Sequence, residues 1–75
     1  MFKVNTDFIN YNIRKLRERD FITQEYMAMR LGISQNTYSK IELGKTKLTV
    51  DKLIAIADIL QVNIADLMQE NTKLK

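Results

Sequence analysis

Only two glycines, at 32 and 44, and no proline interrupt this 75-residue chain. Almost every position can therefore enter a helix, and the glycines mark where one must stop. Apolar residues recur at intervals of three and four rather than two, the period of helices buried along one face. No strand is expected.

The first helix is expected to begin after Thr6 or Asp7, both good N-caps. It buries Ile9, Ile13 and Leu16 with Phe8 beside them, and ends near Arg19 or Asp20. Thr23 caps a second helix, with Glu25 in its first turn complementing the helix dipole and Met27, Ala28 and Leu31 as its inner face. Gly32 closes that helix in a left-handed conformation. Ser34 caps a third helix with Tyr38 and Ile41 turned inward, and Gly44 ends it. Thr49 caps a fourth, whose buried set is Val50, Leu53, Ile56, Ala57 and Leu60. Asn63 caps a short fifth that buries Ile64, Leu67 and Met68. The expectation is an all-α, compact five-helix bundle. It forms a single domain over residues 1–75, with its core in 8–68 and a short polar tail at 69–75.

Such a small core usually needs a staple, yet there is no cysteine for a disulfide and no histidine to help hold a metal. Helix packing has to suffice. No apolar run approaches the roughly 20 residues of a membrane span, and MFKVNTDF lacks the apolar centre of a secretory signal. A cytoplasmic protein is expected. Without histidine or cysteine the familiar triads and zinc sites are missing, and the glycines form no phosphate-cradling loop. The chain is therefore not expected to be an enzyme or to carry a metal or cofactor.

The net charge of +3 is too mild to indicate a partner by itself. Its placement says more. Arg14, Lys15, Arg17 and Arg19 cluster, as do Lys40, Lys45 and Lys47, whereas Asp51, Asp58, Asp66 and Glu70 make the last third acidic until Lys73. One end is the better anion-binding end.

The stretch TQEYMAMRLGISQNTYSKIE, Thr23 to Glu42, is the most informative. Met27, Ala28, Leu31, Ile33, Tyr38 and Ile41 supply the apolar contacts of two crossing helices with Gly32 at the turn, and Ala28 is small enough to let them approach. Ser34, Gln35, Asn36, Thr37, Ser39 and Lys40 then fall on the outer face and N-terminal end of the third helix. That is the face a recognition helix presents to the major groove of double-stranded DNA. Gln and Asn amides match adenine bidentately, and Lys40 reaches a guanine edge or a phosphate. Gln35, Asn36, Thr37, Ser39 and Lys40 are the candidate base readers. Thr23, Gln24, Ser34, Asn36, Lys45, Thr46 and Lys47 are candidate backbone contacts, with an exposed Gln24 offering its N–H to a phosphate and bracing a neighbouring glutamine.

From Ile9 to Met68 the chain resembles the helix-turn-helix domain of the phage repressor and Cro class, the XRE family. IRKLRE at 13–18, TQEYMAMRLGIS at 23–34, TYSKIELGKTKLT at 37–49 and LIAIADILQVNIADL at 53–67 carry the likeness. The resemblance implies a sequence-specific transcriptional regulator, a repressor that occupies a palindromic operator as a homodimer. It also implies that Arg17 and Glu42 pair to tie the first helix to the third, so that Ala28, Gly32, Arg17 and Glu42 are structural. Two residues depart from the family pattern. Phe21 stands where many members have glycine, which moves the expected left-handed angle to Asp20, and Asn10 replaces a commonly small residue.

Ile54, Ile59, Ile64 and Met68 lie at the flanks of the core face: they either complete the core of the monomer or, where exposed, are the candidate dimer interface. The same residues, where exposed beside acidic ones, suit a protein partner. A partner-binding module or antitoxin-type regulator is therefore the alternative to a DNA-binding repressor.

Overall fold

The computed structural model describes residues 7–70. The helices are α1 (Asp7–Arg19), α2 (Gln24–Leu31), α3 (Gln35–Glu42), α4 (Val50–Leu60) and the single turn α5 (Ile64–Leu67). No helix among the described residues is long and apolar enough to cross a membrane. Of the two N-caps expected for α1, Asp7 is already inside the helix and Thr6 lies outside the described residues. The remaining starts follow local chemistry: Thr23, Ser34 and Thr49 each accept the N–H three residues on. At α5, Asp66 reaches back to accept the Asn63 N–H at 3.1 Å.

The first four helices end alike. Each closes with a residue at positive φ, Phe21 (58°), Gly32 (72°), Gly44 (75°) and Gln61 (60°). The following N–H in each case bonds five residues back, Ile22 to Arg17, Ile33 to Ala28, Lys45 to Lys40 and Val62 to Ala57. The left-handed angle expected at Asp20 therefore belongs to Phe21 itself. The closing hydrogen bonds fix which position must be left-handed, whatever residue stands there, and a non-glycine residue pays about 1–2 kcal/mol for it. Asn10 is accommodated by Gly44, because a Cβ at 44 would lie 3.0 Å from the Asn10 amide nitrogen.

Ile9, Ile13, Met27, Ala28, Tyr38, Ile56, Ala57, Leu60 and Leu67 form the core, with Leu16, Ile22, Leu31, Ile33 and Leu53 packed around it. α2 crosses α3 most extensively and also rests on α4. Buried Ala28 lies within this packing. Asn12, 2% exposed, ties α1 to the chain after α5 by donating to the Leu67 and Gln69 carbonyls, both at 2.9 Å.

The fourth helix departs from expectation at its start. Val50 is 70% exposed. The first turn of α4 borders an open depression with Ile9, Gly44, Leu48 and Leu53, and nothing among the described residues covers it. Ile64 and Met68, expected in the core, are also exposed, leaving Leu67 as the buried anchor of α5.

Candidate nucleic-acid interface

Glu42, the last residue of α3, organises the site from beneath. The residue is 6% exposed and its carboxylate accepts four hydrogen bonds. Arg17 from α1 donates Nε to Oε2 at 2.6 Å and a terminal nitrogen to Oε1 at 3.0 Å, the bidentate fork that a planar guanidinium makes with a carboxylate. The Tyr38 hydroxyl donates at 2.6 Å and the Gln24 amide at 3.0 Å. Arg17 also donates to the Ile22 carbonyl at 2.8 Å, so one guanidinium holds the end of α3 and the entry to α2 together.

Burial by itself pushes the Glu42 carboxyl up, but the bonds from Arg17, Tyr38 and Gln24 and the Arg17 charge outweigh it. The net effect is a carboxyl held below its ordinary value and ionised. The hydrogen bond to Glu42 raises Arg17 in turn. Burial, followed by the hydrogen bond to Glu42, pushes the Tyr38 phenol far above its usual range, so it stays a donor.

This network corrects the expectation for Gln24. Its side chain is half-buried and committed to Glu42, neither exposed nor bracing a glutamine. A buried carboxylate needs donors on every lone pair it can fill, and the first residue of α2 lies within reach. The pair implied for Arg17 and Glu42 forms, but as part of a larger cluster that pairwise motif reading did not contain. The Tyr38 contribution had a sequence signal, since 38 and 42 are one helical turn apart. The Gln24 bond had none.

Above this base, the outer face of α3 is free. Gln35, Asn36 and Lys40 are exposed and make no side-chain hydrogen bond or ion pair among the described residues. Ser39 is half-buried beside them. Thr37 is half-buried too, with its hydroxyl accepting from the Ser34 hydroxyl at 2.9 Å while its N–H donates to the same Ser34 oxygen. Ser34 is therefore occupied as a cap. Thr23 is exposed at the start of α2, where its oxygen accepts the Tyr26 N–H at 3.0 Å. Lys45, Thr46 and Lys47 lie exposed in the loop that carries the chain from α3 to α4.

The arrangement places planar amides and a cation on a rigid helix, flanked by a basic loop. Such a surface can match base edges in a groove while the loop neutralises phosphates. Of the four residues expected at a dimer interface, Ile54, Ile64 and Met68 are exposed, whereas Ile59 packs against the core and is corrected to a core-edge residue. α4 turns its one side toward α2, and Ile59 lies on the flank of the buried stripe that Ile56 and Leu60 define.

The chain matches the helix-turn-helix family profile over residues 13–67. It is 34% identical over 64 residues to the uncharacterized HTH-type transcriptional regulator YqaE of Bacillus subtilis (strain 168), an alignment that covers 85% of this chain and 55% of the relative. The chain thus spans about half the length of that protein. Its fold is similar to the solution structure of the SOS-response transcriptional repressor LexA from Eubacterium rectale. That similarity has a TM-score of 0.79 and 26% identity, over 100% of this chain and 80% of the other. The crystal structure of the clp gene regulator ClgR from C. glutamicum superposes with a TM-score of 0.78 at 18% identity, over 87% and 86% of the two chains, a likeness of fold alone. With the profile covering most of its length, this chain belongs to the helix-turn-helix family.

Proposed function

We propose that the protein is a sequence-specific transcriptional regulator of the XRE and Cro type that represses by occupying a palindromic operator in the cytoplasm. Gln35, Asn36, Ser39 and Lys40 read base edges in the major groove, with Thr37 at the margin. Thr23, the backbone N–H of Gln24, Lys45, Thr46 and Lys47 hold the phosphates. The observation that carries this reading is the division of α3: Tyr38, Ile41 and Glu42 are fixed in the interior while Gln35, Asn36 and Lys40 are exposed and uncommitted. A helix whose polar face is held rigidly and left unpaired is suited to hydrogen bonding with something outside the chain.

A homodimer fits the same reading. Ile54 on α4 and Ile64 and Met68 around α5 are exposed apolar side chains that a two-fold partner can cover. Two reading helices would then enter successive major grooves roughly 34–36 Å apart.

The test is selection of bound sites from random duplex DNA. A two-fold symmetric motif is the expected result. Folded protein that enriches no motif would sink the reading and favour a partner-binding module.

A further inference from the structure

We propose that the residues just before Asp7 seat Phe2 and Val4 in the open depression at the start of α4, and that this seat braces the loop between α3 and α4. The depression has a volume of about 520 Å³ and an apolar floor of Ile9, Leu48, Val50, Leu53 and Met68. Leu48 and Leu53 are held from the core side. Val50, 70% exposed, and Met68, 46% exposed, are apolar side chains that the described residues leave without cover.

Chain continuity identifies the occupant. Asp7, the first residue of α1, itself lines the depression, so the chain enters the fold at its rim. The sequence immediately before it is MFKVNT, residues 1–6, which lie outside the described residues. An extended chain covers at most about 3.6 Å per residue, which keeps Val4 within about 11 Å of Asp7 and Phe2 within about 18 Å. Residues two apart share one side of an extended segment. Phe2 and Val4 therefore present one apolar side to an apolar floor, while Lys3 and Asn5 fall on the side left to water.

A second copy of the chain is the weaker occupant. It would lose translational and rotational freedom on docking, whereas a segment tethered at the rim acts at a millimolar effective concentration. Ile54 and Ile64 do not line the depression and stay available to a two-fold partner. Gly44, Lys45, Thr46 and Lys47 do line it. A filled depression thus supports the loop assigned above to phosphates. That last consequence rests on the DNA-binding reading, and the seating of Phe2 and Val4 does not.

The experiment is solution NMR on the full chain, with melts and DNA titrations of two paired variants. Nuclear Overhauser contacts should join the Phe2 ring to the Val50 and Leu53 methyls within one chain, unchanged on dilution. Phe2→Ser with Val4→Ser should melt lower by roughly 4–8 °C, whereas Lys3→Ser with Asn5→Ser should melt as wild type. Well below its melting temperature, the first pair should bind random and selected DNA more weakly by the same factor, with an unchanged motif. Absent contacts, or contacts only between differently labelled copies, overturn the proposal. Contacts present with wild-type DNA affinity in the first pair overturn the brace. A wild type that binds no DNA overturns the functional reading, and the Phe2 contacts still decide the seat.

Discussion

The two faces of α3 are built on opposite principles within eight residues. Inward, Tyr38 and Ile41 are fully buried, and Glu42 has its carboxylate saturated by donors from three other residues. Outward, Gln35, Asn36 and Lys40 have no partner among the described residues. One face carries stability and the other is left available for recognition. Substitutions on the two faces should therefore separate into two phenotypes.

The largest effect is expected beneath the helix. Glu42→Ala takes the bidentate partner from the buried Arg17 guanidinium, leaving it only the exposed Glu18 carboxylate at 3.9 Å, and should cost about 3–5 kcal/mol, read from denaturant or thermal unfolding. For a domain whose whole stability is about 5–15 kcal/mol, that is a large share. Arg17→Ala should cost nearly as much, and the double variant much less than the sum, because both remove one network. A surface-like loss below about 1 kcal/mol would break the comparison at its inner face.

The same carboxylate sets the acid limb. Its folded pKa lies below the unfolded value of roughly 4.3, so between the two the unfolded chain binds more protons. The resulting stability is present above the unfolded pKa and is lost as pH falls through the folded one. Glu42→Gln should flatten the dependence of melting temperature on pH in that acidic window, and an unchanged slope would contradict the assignment.

On the outer face the effects move from stability to binding. Gln35→Ala should cost about 1–3 kcal/mol of discrimination at particular base pairs while changing stability by no more than about 0.5 kcal/mol. The smallest effect is expected in the flanking loop. Lys47→Ala should weaken binding to all sequences alike and reduce the slope of log K against log salt by about 0.9. A Lys47 variant that altered the motif would blur the line between reading and positioning.

Much of this was legible in the chain, and the misses have physical reasons. Thr23, Ser34 and Thr49 announce helix starts because their oxygens satisfy the N–H three residues on. Gly32 and Gly44 announce two helix ends. Phe21 and Gln61 adopt the same left-handed angle without glycine, so the equivalent ends of α1 and α4 carried no compositional sign. Val50 continues the apolar spacing of α4, yet spacing cannot say how far the neighbouring helices extend to cover it. Gln24 shows a further limit, because an amide serves a phosphate and a buried carboxylate equally well and only tertiary placement chooses between them. The outward residues of α3 were legible because they are what remains once the buried spacing is assigned.

The most direct test of the separation between the faces is the ratio of dissociation constants on random and selected DNA, measured at one salt concentration for wild type and Gln35→Ala. The account predicts a wild-type ratio of at least about 10³. In the variant the ratio should fall by about 5- to 150-fold, with random-DNA affinity and melting temperature unchanged. Losses that are equal on both DNAs, or that track a lower melting temperature, would contradict it.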